Sequence, residues 1–349
     1  MTQTTKLAAL GGLLTTLFAA QMTGTAVAEP TKYPLEIENC GQTVVFDKAP
    51  ERTVALGQNT AEILFMLGLE DRMVGTAFWP NRVLPGYEAA YDKVDVLTVE
   101  FPTLESILSK KPDFVPAMLV TLLGPDSKVA KRQDFEKLGI PTYMSPAACS
   151  VEKDTGNASN SKATAVYGIR KELWNLDELY KEISDLAQIY DVQDRGEALI
   201  ADLKAREAKL RAEFADNENL TFLFWFSSPS PSDDAYLSGG NGPSGYIADL
   251  LGGSNALKTE AEWPALGWEG IMAANPTVIV AAQVDRKRWG LDEAENKIAF
   301  LTTDPAVSQM DAVKAGRIAV ISGAALNPSV QTLYGAEQLA EQIRAFDLP

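Results

Sequence analysis

"EWPALGWEGIMAANPTVIV" (residues 262–280) and "EFPTLESILSKKPDFV" (residues 100–115) follow the same short pattern. Each has an aromatic residue and a proline, a glutamate (Glu269 or Glu105), a short amphipathic helical run, a second proline and an apolar strand. A helix feeding a buried strand is half of a strand–helix–strand unit. Its recurrence in the two halves of the chain points to two similar α/β lobes rather than one large core.

Working outward, residues 29–150 alternate short apolar segments with helical ones. "LEIEN" and "QTVVF" read as a hairpin, and "RTVALG" (52–57) as a strand. "NTAEILFMLGL" (59–69) reads as a helix with Ile63, Leu64 and Leu67 on its apolar face. Strands are expected at 73–78, 93–98, 113–119 and 140–145, and a helix over 127–139. This spacing predicts a parallel sheet with helices on its faces. Residues 151–165 are polar and read as a surface loop. Two helical stretches, 175–190 and 191–215, then form a rigid crossover. The pattern restarts with a strand at 219–227, a Gly/Pro/Ser loop at 228–245 and a helix at 246–253. Strands at 277–283 and within 311–322 and a final helix at 329–343 complete it. The expected architecture is two Rossmann-like lobes with parallel-type central sheets, joined by a rigid helical crossover, with a ligand cleft between them. The division is a signal peptide at 1–28, an N-terminal lobe at 29–170, a crossover at 171–215 and a C-terminal lobe at 216–349.

The leader follows from Lys6, the apolar run 7–20 and the small residues "AVA" at 26–28. That run is too short and too broken by Gly and Thr for a membrane span, and no cysteine near the cleavage region offers a lipid anchor. An exported chain free of stable membrane insertion is expected, in the periplasm. Without residues 1–28, whose one charged side chain is Lys6, the formal net charge moves from −16 to −17. Such a surface disfavours nucleic acid as a partner. The two cysteines, Cys40 and Cys149, favour one disulfide in an exported protein, the alternative being two buried thiols. The chain has no histidine, which closes the usual routes to hydrolytic triads and zinc sites. No metal site and no cofactor are expected.

In parallel α/β lobes, ligand contacts come from loops at the C-terminal strand ends. These loops supply Gln58, Phe78, Trp79 and Glu100–Phe101 in the first lobe. In the second they supply Phe226, Tyr236 and the basic turn "QVDRKRWG" (283–290), with Arg286, Lys287, Arg288 and Trp289. Aromatic walls and arginines suit a bulky or anionic ligand. "YLSGGNGPSG" (236–245) lacks the Lys-Ser/Thr pair of a nucleotide loop, and its glycines read as tight turns beside a ligand. Tyr143, Tyr236 and Tyr334 are the phenols available to iron, but nothing in their spacing gathers them.

Taken in order, "APERTVALGQNTAEILFMLGLEDRMVGT" (49–76), "PTLESILSKKPDFV" (102–115), "YLSGGNGPSGYIADLLGGSNAL" (236–257), "WEGIMAANPTVIV" (268–280) and "DAVKAGRIAVI" (311–321) resemble the class III periplasmic solute-binding proteins of ABC importers. These carry ferric siderophores, haem or cobalamin. The resemblance spans nearly the whole chain after residue 28. It implies capture of a small-molecule chelate by a monomer and delivery to an ABC permease dimer, with Glu105 and Glu269 as permease-docking residues. A ferric siderophore is the expected ligand, with cobalamin or haem as alternatives. The ligand-binding set is Gln58, Phe78, Trp79, Phe226, Tyr236, Arg286, Arg288 and Trp289. Two readings from other classes are an exported enzyme using Glu100 with Asp285, and an exported sensory module.

Overall fold

The computed structural model describes residues 1–2, 29–153, 168–217 and 219–348. The expected leader, beyond Met1 and Thr2, and the polar loop from residue 154 onward lie outside the described residues.

β1 (Leu35–Asn39) and β2 (Gln42–Phe46) form an antiparallel hairpin, with Leu35, Ile37 and Asn39 turned inward and Glu36 and Glu38 outward. Cys40 in its turn is bonded to Cys149, which ties the hairpin to the end of the first lobe. The first-lobe sheet contains β3 (Thr53–Leu56), β4 (Met73–Ala77), β5 (Val96–Thr98), β6 (Val115–Ala117) and β7 (Thr142–Met144). Their order is β5-β4-β3-β6-β7, and every pairing is parallel. All four residues of β3 are buried, as a strand covered on both faces requires.

The second-lobe sheet contains β8 (Leu220–Ser227), β9 (Ala235–Leu237), β10 (Gly253–Asn255), β11 (Ala265–Leu266), β12 (Val278–Gln283) and β13 (Ile318–Ser322). Its order is β11-β9-β8-β12-β13, with β10 also pairing β8. β8, β10, β12 and β13 are parallel, whereas β9 and β11 run antiparallel to their neighbours. The second sheet is therefore mixed at one edge. β3 and β8 each lie where strand order reverses, so the two ligand-facing crevices open beyond Leu56 and Ser227.

Several segments differ from expectation, among them β9, which lies inside the stretch read as a loop. The helix expected over 127–139 shrinks to Arg132–Glu136, because the Ser127 hydroxyl accepts from the amides of Val129 and Ala130 and makes a turn there. Three of the glycines of "YLSGGNGPSG", Gly239, Gly240 and Gly245, are packed closely on their own chain. A Cβ on Gly239 would lie 1.8 Å from the Ala261 carbonyl oxygen.

Between the sheets run helices Leu176–Ile189 and Gln193–Glu213. The first packs on the N-terminal lobe, where Tyr143 donates to Asp185 (2.8 Å) and Ser145 to Glu182 (2.6 Å). The second touches both lobes: Arg195 donates to the Leu67 carbonyl (2.9 Å), and Arg206 grips Glu337 with two bonds (2.8 and 2.6 Å).

Candidate functional site

The end of β3 sets the first-lobe side. Gly57 has φ +110°, and a Cβ there would fall 2.2 Å from Met118 Cγ, so the turn into helix Gln58–Met66 needs glycine. Gln58 follows at once but is 3% exposed. Its amide donates to Glu62 (3.0 Å) and the Arg82 carbonyl (2.8 Å) and accepts from the Asn81 amide (3.2 Å). Those bonds hold it at the seam between the lobes. After β4 the chain bends at Phe78, which has φ +60° and whose ring packs on Phe101 with centroids 4.9 Å apart. Trp79 turns the other way, onto Tyr91 at 4.9 Å. The next carbonyl, of Pro80, accepts from the amides of Asp285 (3.1 Å) and Arg286 (3.0 Å) in the second lobe. Arg82 reinforces this contact with an ion pair to Asp285 (3.3 Å).

In the second lobe a single buried carboxylate shapes the basic turn. Asp292 accepts from the amides of Arg288 (2.6 Å) and Trp289 (3.0 Å) and from Ser227. Arg286 lies 3.7 Å from Asp292 and is 11% exposed, and its Nε has no hydrogen-bond acceptor among the described residues. Its guanidinium carbon sits 5.8 Å from the Phe226 ring centroid and 5.4 Å from that of Trp289. Phe226 packs on Trp263 (4.8 Å) and Tyr236 on Trp289 (5.1 Å). Arg288 stands over Trp289 at 5.5 Å and pairs with Glu100 of the first lobe at 3.6 Å. Beneath the turn, Lys297 donates to the Ala282 (2.6 Å) and Asp292 (2.8 Å) carbonyls, and burial lowers its pKa to about 7.

Between the lobes opens a cleft of about 1120 Å³. The first lobe lines it with Trp79–Pro85, Glu88 and Tyr91, and the second with Asp285, Arg286, Gln331 and Tyr334. Of the expected ligand set, the structure brings Trp79 and Arg286 to this cleft. Phe226, Tyr236, Arg288 and Trp289 gather as an aromatic and basic cluster around Arg286 without lining the cleft. Gln58 and Phe78 border instead a void of about 10 Å³ at the lobe seam. Tyr91, Arg82 and Tyr334 went unnamed as cleft residues. Tyr334 sits on the amphipathic final helix with the Arg206 guanidinium 4.1 Å from its ring, a placement that the docking of that helix supplies. The three tyrosines stand apart: Tyr143 bonds Asp185, Tyr236 packs on Trp289 and Tyr334 lines the cleft. No group of three or more His, Cys, Asp or Glu able to hold a metal ion occurs among the described residues. Glu100 and Asp285, nominated as a catalytic pair, are each committed to an arginine.

Two buried acids stitch the seam. Glu62 accepts from Gln58, from the Leu84 amide (3.0 Å) and, across the lobes, from Gln331 (2.7 Å), while its Oε2 has no partner among the described residues. Glu182 accepts from Ser145, Asn59 and Thr60. Asn59 accepts in turn from the Val330 amide of the second lobe (2.8 Å). Burial pushes both carboxyls up to about 7.

Glu105 and Glu269 are exposed in the first turns of helices Leu104–Ser109 and Trp268–Ala274, one on each lobe.

Comparison with known proteins places this arrangement. A family model described as periplasmic binding protein matches residues 53–325. The ABC transporter substrate-binding lipoprotein YvrC of Bacillus subtilis (strain 168) is 24% identical over 322 residues, covering 89% of this chain and 86% of that protein. The vitamin B12-binding protein of Yersinia pestis (strain Pestoides F) is 22% identical over 238 residues, covering 67% of this chain and 70% of its own. The crystal structure of an ABC-type Fe3+-hydroxamate transport system from Saccharomonospora viridis DSM 43017 superposes with a TM-score of 0.67. It is 22% identical and covers 90% of this chain and 100% of its own, a likeness of fold.

Proposed function

Because the chain belongs to the periplasmic binding protein family, we propose that its cleft captures a bulky iron chelate, a ferric siderophore, and hands it to an inner-membrane permease. The protein is the substrate-binding component of an ABC transporter of the siderophore, haem and cobalamin class, and not an enzyme. The observation that carries the ligand reading is the cleft of about 1120 Å³ built from both lobes, walled by Trp79, Tyr91 and Tyr334. That volume exceeds what an ordinary metabolite fills, and the aromatic faces suit a large, weakly hydrated complex. Cobalamin is the second reading, favoured by the B12-binding relative; haem is the third.

In this reading the chain works as a periplasmic monomer, released from a leader at 1–28. Ligand contact is assigned to Trp79 and Arg286, with Phe226, Tyr236, Arg288 and Trp289 as the adjoining plate. Glu105 and Glu269 are assigned to the permease dimer. Trp79 should report occupancy through its fluorescence. Titrating the purified protein with ferric siderophores, haem and cobalamin should quench it with ferric complexes first, and Trp79→Ala should weaken their binding by about 2 kcal/mol. Tight cobalamin or haem binding with no response to any ferric complex would overturn the iron assignment.

A further inference from the structure

Every cation that lines the cleft already has a carboxylate of its own. Arg82 pairs with Asp285 (3.3 Å), and Arg286 faces Asp292 (3.7 Å). The flanking bases are matched as well, Lys287 by Glu293 (2.9 Å) and Arg288 by Glu100 (3.6 Å). Lys128, which has no carboxylate partner among the described residues, stands 4.9 Å over the Phe101 ring and does not line the cleft. Against this, three acids in the cleft wall, Glu88, Asp92 and Glu295, pair with no cation among the described residues. The chain around them carries a formal net charge of −16.

We infer that the cleft selects its ligand by charge, taking an uncharged or cationic chelate and excluding polyanionic ones. The inference rests on the reading of this cleft as an iron-chelate site and reverses the anion-binding role that the basic turn suggests in sequence. A polyanion would meet the unmatched carboxylates of the cleft wall at a range where charge is only partly screened, and would have to share each arginine with the carboxylate it already faces. The Arg82–Asp285 pair is exposed on its arginine side and costs little to break, but drawing Arg286 away would leave Asp292, which is 0% exposed, without that cation. An uncharged complex pays neither cost and still gains the rings of Trp79, Tyr91 and Tyr334. A cationic one gains further from ring faces and carboxylates together.

Three ferric probes of similar size separate these cases: an uncharged trihydroxamate complex, a cationic trihydroxamate complex and a triply anionic tricatecholate complex. Tryptophan quenching of the mature wild-type protein should rank the first two at least about 100-fold tighter than the third. Raising salt should weaken the cationic complex and strengthen the anionic one. The cleft-wall variant Glu88→Gln/Asp92→Asn/Glu295→Gln should tighten the anionic complex about tenfold relative to the uncharged one. Tighter wild-type binding of the anionic complex, or a triple variant that leaves its affinity unchanged, overturns the charge rule while the iron-chelate reading stands. Silence from all three probes overturns the iron-chelate reading, and the charge rule with it.

Discussion

Glu62 is 1% exposed and lies at the contact between the lobes, accepting three hydrogen bonds through Oε1 while Oε2 goes without. A carboxylate there is poorly solvated, and burial pushes its pKa from 4.5 up to about 7. Glu182 shows the same shift for the same reason. For both, the folded state binds more protons than the unfolded chain between pH 4.5 and about 7. Stability from these groups is therefore fully present below pH 4.5, falls as pH rises through about 7, and is flat above. Lys297 acts in the opposite window: with its pKa lowered from 10.5 to about 7, its contribution is present above 10.5 and is lost as pH falls through 7. Gln at position 62 keeps the Oε1 acceptor and cannot titrate. Urea melts of Glu62→Gln between pH 5 and pH 8 should show a slope reduced by on the order of 2 kcal/mol across the window. A variant whose stability falls with pH as steeply as the wild type would remove Glu62 as the source. None of this was legible in sequence, where Glu62 belongs to an unremarkable helix and its partner Gln331 lies near the other end of the chain.

At the scale of elements, Arg170 does the joining. Its guanidinium is 2% exposed and donates to the Ala147 carbonyl (2.8 Å) and the Ser150 hydroxyl (2.8 Å), both in the first lobe. It pairs with Glu178 of the crossover (3.7 Å) and Glu262 of the second lobe (2.9 Å). Glu262 already has its pKa raised by burial, so losing its cation would strand it. Arg170→Met should cost about 3–5 kcal/mol in denaturant melts, and adding Glu262→Gln should restore part of that loss. Equal destabilisation by the single and double variants would show that the pair is not what matters. Elements with a continuous apolar run or a helical stripe were legible: the buried strands β8 and β12 and the stripe of helix Leu176–Ile189 appear in sequence where the structure has them. β9 was not, because three residues inside a Gly/Pro/Ser stretch carry no period and become a strand only by pairing with β8. The cleft was legible in part for a related reason. Trp79 and Arg286 follow strand ends, where the topology rule looks. Tyr334 and Arg82 reach the cleft only through the docking of the final helix and the Pro80–Arg286 contact.

For the whole molecule, the repeated pattern that marks the two lobes also marks two exposed acids. Glu105 and Glu269 each occupy a helix first turn, one per lobe, and neither pairs with a cation among the described residues. A carboxylate left free in a first turn is favoured locally by the helix dipole, yet that alone does not call for one on each lobe at matching positions. The lobes that carry them are held by Arg170, by the Pro80 carbonyl and by a crossover helix that touches both. Two acids fixed on such a frame can engage two equivalent basic sites at once, as the proposed permease dimer would present. Exposed charge pairs of this kind act on orientation and encounter more than on the distant cleft. Glu105→Ala/Glu269→Ala should therefore leave ligand affinity within about twofold and cut uptake into permease vesicles at least about tenfold, a loss of ~1.4 kcal/mol of coupling. Each single variant should fall between. Arg substitutions in the permease that restore nothing are uninformative, so the decisive comparison is charge reversal: Glu105→Lys/Glu269→Lys should transport less than the alanine pair. Reduced ligand affinity with uptake intact at saturating ligand would move both residues from the docking face to the binding site.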